Sequence, residues 1–99
     1  MDIVKEIGVP ATLGQLAEEC CELGKAALKL QRILMGQNPT PVTEYQASAD
    51  LLEEATDVVD CLSLLAQSGF RTYNMQQSSM KMDRWEQRIK EAKHSNGEA

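Results

Sequence analysis

Apolar residues recur along this chain at intervals of three and four, the spacing that lines one face of an α-helix. Leu13, Leu16, Ala17, Cys20, Leu23, Ala27, Leu30 and Leu34 carry the first such pattern. Thr12 stands before it as an N-cap with Gln15 three residues on, a capping-box pair, and a long helix over 13–35 is expected. Residues 1–8 predict a short helical turn ending near Gly8, followed by a break at Val9-Pro10. Gly36-Gln37-Asn38-Pro39-Thr40-Pro41 is a run of helix breakers, so the chain turns there.

A second helical pattern, Leu51, Leu52, Ala55, Val58, Val59, Leu62, Leu65 and Ala66, predicts a helix over about 43–67. Either Thr40 before Pro41, or Thr43 with Gln46, can cap it. Ser68-Gly69 is its stop, and Thr72 is a cap for a third helix whose Met75, Met82, Trp85 and Ile89 are expected to face the bundle. Lys93 to Ala99 is a polar tail. Strand patterns are absent, so the expected fold is all-α: one domain over 1–92 built on an antiparallel helical hairpin with further helices, plus the tail 93–99.

Ninety-nine residues enclose only a modest core, and a second subunit contributing its own hairpin would complete a four-helix bundle, so a homodimer or tetramer is expected. The formal charge is -5, from 15 acidic and 10 basic residues, which argues against a nucleic-acid polymer or an anionic membrane as partner. No stretch approaches the roughly 20 apolar residues that span a bilayer. The amino terminus also lacks a secretion signal, and a cytoplasmic location is the expectation. Cys20, Cys21 and Cys61 lack the CxxC spacing of a zinc or redox site and read as reduced thiols.

The charge is not spread evenly. Glu18-Glu19-x-x-Glu22 and Glu53-Glu54-x-x-Asp57 each lie inside an apolar helical pattern, where like charges are costly unless a cation neutralises them. At ~100° per residue, Glu19 lies ~90° and Glu22 ~150° to one side of the centre of the first apolar stripe, and Glu54 and Asp57 fall at the same two angles beside the second. Antiparallel packing brings equivalent flanks onto the same side of the pair. Glu22 precedes the turn by about as many residues as Asp57 follows it, so four carboxylates converge on one groove as candidate ligands for a hard divalent cation, Mg²⁺ or Mn²⁺. Glu18 and Glu53 point nearly opposite their stripes by the same construction. The plainer reading makes all these acids a water-facing helix margin.

With the acids so placed, Leu16-Ala17-Glu18-Glu19-Cys20-Cys21-Glu22-Leu23 and Glu54-Ala55-Thr56-Asp57-Val58-Val59-Asp60 resemble the EExxE and ExxD motifs of the MazG-type all-α nucleoside triphosphate pyrophosphohydrolases, over about residues 12–92. The resemblance implies a Mg²⁺-dependent hydrolase that cleaves a nucleoside triphosphate between its α- and β-phosphates, releasing pyrophosphate and a monophosphate, a reaction suited to nucleotide-pool house-cleaning. It implies Glu19, Glu22, Glu54 and Asp57 as metal ligands, Glu18 and Glu19 in catalysis, and Lys81 and Arg84 at the phosphates. A phosphoribosyl-ATP pyrophosphohydrolase is the neighbouring enzyme reading, and a helical oligomerisation or partner-binding module is the non-catalytic one. Trp85 has the spacing of a packing residue, Lys81, Arg84, Arg88 and Lys90 also fit a solvated face, and His94 falls in the polar tail.

Overall fold

The computed structural model describes residues 1–36, 41–95 and 97, and all regular structure among them is helical. In chain order the helices are α1 (Ile3–Ile7), α2 (Val9–Met35), α3 (Glu44–Gln67) and α4 (Met75–Ser95). Residues 37–40, which include the Thr40 cap and most of the breaker run, lie outside the described residues, as do 96, 98 and 99 in the expected tail. The helix α4 extends through Lys93 to Ser95.

The break expected at Val9-Pro10 is not there: α2 begins at Val9, with Gly8 as its N-cap. Proline is tolerated in the first helical turn because its missing N–H would have no intrahelical partner. Gly8 has φ +90°, which lets it close α1 and open α2 at one residue. Thr12 is therefore a helical residue and not a cap. It is buried, and its hydroxyl donates to the Gly8 carbonyl at 2.9 Å.

The other end of α2 follows the sequence reading, with Gly36 at φ +64° donating its N–H to the Arg32 and Ile33 carbonyls. Thr43 caps α3 in a complete capping box: the Gln46 N–H donates to Thr43 Oγ1 at 3.1 Å and the Thr43 N–H donates to Gln46 Oε1 at 3.2 Å. Replacing Thr43 with Ala is expected to cost about 1 kcal/mol, measurable as a lowered urea midpoint with unchanged slope. Asn74, and not Thr72, starts α4, its side-chain oxygen accepting from the Gln77 N–H at 2.9 Å.

α2 and α3 pack as an antiparallel hairpin, and α1 touches both. Their contact positions alternate three and four residues apart. On α2 the seam runs through Thr12, Leu16, Glu19, Leu23, Ala26, Leu30 and Ile33, and on α3 through Ala47, Leu51, Glu54, Val58, Cys61 and Leu65, all buried or half-buried. This is the heptad spacing of a coiled coil.

The seam corrects the rotational placement of the acids. Each helix is turned by about 60° relative to the centre of its apolar stripe, toward the acidic side, so Glu19 and Glu54 lie in the contact line instead of ~90° from it. The cause is that each apolar sector is two rows wide, and the hairpin uses only one of them. The second row, one residue after each seam position, holds Leu13, Ala17, Cys20, Ala27 and Leu34 on α2, interrupted by Gly24 and Gln31, all exposed. On α3 it starts with the polar Ser48 and continues as Leu52, Ala55, Val59, Leu62 and Ala66, exposed or half-buried. The opposite flank, one residue before each seam position, is polar on both helices apart from Ala11 and Leu64 at the end where α2 begins and α3 stops. The hairpin thus has an apolar face and a polar face.

α4 also departs from expectation. Its Met75, Met82, Trp85 and Ile89 were expected to face the bundle, yet α4 contacts no other helix and all four side chains are exposed, Trp85 at 62 %. The chain measures 56 × 41 × 18 Å, with a radius of gyration of 18.1 Å. A compact domain of this length has a radius of about 13 Å.

Candidate functional site

The polar face carries the chemistry. Glu19 from α2 and Glu54 and Asp57 from α3 each bring a carboxylate oxygen within 4.8 Å of the other two, and all three are half-buried. Two of them hold seam positions, so the cluster is fixed by the pairing of the helices and not by flexible surface side chains. Asp57, one residue before Val58, opens the cluster onto the polar face.

Repulsion is the dominant feature of the electrostatics. Removal from water pushes the Glu54 carboxyl above its ordinary range, and the charges of Asp57, Glu19, Glu22 and Glu53 add to the effect in that order. Glu19 accepts a hydrogen bond from Gln15 Nε2 at 2.7 Å, a neutral contact that orients it without cancelling its charge. Lys90 with Glu86, at 3.1 Å on exposed α4, is the one ion pair among the described residues, and it lies far along the chain from these acids. Buried Cys61, next on the seam, has its thiol pushed up by desolvation and by Glu19, Asp57, Asp60 and Cys20, so it stays protonated.

Three converging carboxylates that form no ion pair among the described residues are a donor set suited to a hard divalent ion. Oxygen-only ligands match Mg²⁺ and Mn²⁺ and are poor for soft or thiolate-seeking metals. Glu19, Glu54 and Asp57 are thus the group of side chains that could hold the divalent ion that the family resemblance implies.

The remaining expected site residues divide. Glu22 is exposed and outside the inner group, and it lines a groove of about 280 Å³ with Lys25, Ala26, Lys29, Asp50 and Glu54. Glu18 and Glu53 are exposed, and the turn of the helices moves them from opposite the stripe onto the outer rim of the same polar face. Lys81 and Arg84 are not brought to the carboxylates, for they line a separate concavity on α4 with Trp85 and Arg88.

Sequence reasoning missed two cations. Lys25 and Lys29 follow Glu22 by three and seven residues, the spacing of a single helix face, and stand in the groove beside the acids. Neither forms an ion pair among the described residues, which leaves their ammonium groups available to an anion. Comparison with family models, curated proteins and solved structures finds no match to this chain. No helix among the described residues is long and apolar enough to cross a membrane.

Proposed function

We propose that this chain is a metal-dependent nucleotide pyrophosphohydrolase, cleaving a nucleoside triphosphate to a monophosphate and pyrophosphate with Mg²⁺ or Mn²⁺ at Glu19, Glu54 and Asp57. The observation that carries the reading is the convergence of these three carboxylates within 4.8 Å at the helix seam, beside a groove holding two lysines that form no ion pair among the described residues. The MazG-like motif pair in the sequence agrees with it in order and in residue type. Self-association as a dimer or tetramer, completing a four-helix arrangement, is part of the same reading.

A triphosphate brings several negative charges to an acidic face, so cations must be supplied. A bound divalent ion lowers the pKa of its water and offsets phosphate charge. Lys25 and Lys29 hold phosphate oxygens along the groove, next to the carboxylates. Glu22 or Glu18 on the rim accepts the proton of the attacking water at a carboxylate oxygen. The water oxygen adds to a phosphorus flanking the α–β bridge and the bond from that phosphorus to the bridging oxygen breaks, which expels pyrophosphate when the α-phosphorus is attacked and the monophosphate when the β-phosphorus is. Lys81 and Arg84 would reach these phosphates only by way of another copy of the chain, since α4 stands apart from its own hairpin.

The test is a panel of canonical, deoxy and damaged nucleoside triphosphates together with phosphoribosyl-ATP, incubated with protein and Mg²⁺ and assayed separately for pyrophosphate and orthophosphate. Pyrophosphate and monophosphate are the expected products. Orthophosphate with a nucleoside diphosphate would refute the cleavage position. Lys25→Ala and Lys29→Ala are each expected to raise KM roughly tenfold, the scale of one charge-assisted contact, while leaving Mn²⁺ binding intact. The exposed apolar row favours a second reading, a purely interacting module, and such a module would bind neither metal nor triphosphate.

A further inference from the structure

The polar face of the hairpin has a function to propose, but the apolar face and the isolated helix α4 do not yet. Leu52 is 69 % and Val59 61 % exposed on the apolar face, and α4 presents Met75, Met82, Trp85 and Ile89 along one stripe. These two surfaces are alike in kind: each is a heptad-spaced apolar row on a helix of more than twenty residues. Neither is covered by another helix among the described residues.

The chain exposes 7980 Å². A compact protein of 11.0 kDa exposes about 5,600 Å², an excess of roughly 2,400 Å² in each copy. Obligate homodimers bury about 2,000–5,000 Å² in total, a range that reaches the roughly 4,800 Å² that two copies have in excess.

We propose that the apolar row of the α2/α3 hairpin and the apolar stripe of α4 form one self-association surface, occupied by a second copy of this chain with its α4 lying along the hairpin. The proposal gives the expected oligomer a defined surface. It rests on the self-association in the reading above and not on the hydrolytic chemistry, and the carboxylate groove, on the opposite face, stays open.

Two native residues report on it. Cys20 belongs to the apolar row, whereas Cys21, its neighbour, points away, and both thiols are exposed in the isolated chain. Trp85 is the sole tryptophan. The experiment combines sedimentation of the full chain at micromolar concentration, alkylation of its cysteines followed by mass spectrometry, and acrylamide quenching of tryptophan emission. The expected result is a dimer or its multiple in which Cys20 is alkylated about tenfold more slowly than Cys21, because the reaction waits for dissociation, and Trp85 is blue-shifted and protected. Val59→Asp, at an exposed position outside the seam, is expected to give a monomer in which Cys20 reacts as fast as Cys21.

A monomer overturns the proposal, whether extended or compact with a radius of gyration near about 13 Å, the latter meaning that α4 folds back on its own hairpin. An oligomer with reactive Cys20 or water-exposed Trp85 overturns it as well, by placing the contact elsewhere. If Val59→Asp fails to fold, the wild-type labelling and quenching decide alone. Loss of hydrolysis in the panel with the dimer intact would refute the enzymatic reading and leave this surface standing.

Discussion

Glu54→Gln is expected to abolish pyrophosphate release, by about a thousandfold or more, and at the same time to raise the melting temperature of the metal-free protein. The activity loss has the scale of removing a group that positions transition-state charge. The stability gain follows from the position of Glu54 on the seam, half-buried among Asp57, Glu19, Glu22 and Glu53. Its carboxyl is raised above the ordinary range, so the folded chain binds its proton more tightly than the unfolded chain does. The destabilisation is therefore absent below the unfolded pKa, appears as pH rises through the raised folded value, and is fully present at neutral pH. Metal-free wild-type protein should accordingly melt higher as pH falls from neutral toward the carboxylate range, and Glu54→Gln should flatten that profile. Thermal melts by circular dichroism across this window, paired with a pyrophosphate assay, check both halves. A variant that melts lower and loses helix would make Glu54 a structural residue.

Saturating Mn²⁺ or Mg²⁺ is the second large effect. An ion that binds only the folded chain adds about 2.7 kcal/mol at a hundredfold excess over its Kd, which for a domain of this size is roughly ten degrees or more in Tm. Chelator should reverse the gain. Asp57→Asn and Glu19→Gln should remove it, and Glu18→Gln on the rim should only reduce it, because Glu18 lies outside the inner carboxylate group. Titration calorimetry gives the stoichiometry, and an unchanged melt in both metals would refute the site.

The helices themselves were legible because capping and breaking residues are local: Thr43 with Gln46, Gly36 and Ser68-Gly69 act through their nearest backbone neighbours. The same locality misplaced two starts. Pro10 has the look of a break but suits a first helical turn, and Thr72 has a capping side chain but stands two residues from Asn74, which does the work. The seam was not legible. Leu13, Ala17 and Cys20 are more apolar than Leu16, Glu19 and Leu23 taken together, so local pattern favours the row that the partner helix does not use. Placing two acids in a contact line runs against burial rules, so pattern reasoning set them aside from it. The stripe on α4 could be read from spacing, but its partner could not, since no helix of the same chain covers it. Lys25 and Lys29 could have been found by extending the Glu22 row by three and seven.

Glu19 and Glu54 also decide how the hairpin is aligned. Apolar seam positions are nearly interchangeable, and an antiparallel pair built only from them could slide by one heptad at little cost. A slide here would part the two carboxylates and set each among residues such as Leu16, Leu30, Leu51 or Leu65, with no shared cation to offset their burial. A divalent ion held between them would therefore act as a pin, selecting one register of two helices from several that hydrophobicity alone would accept.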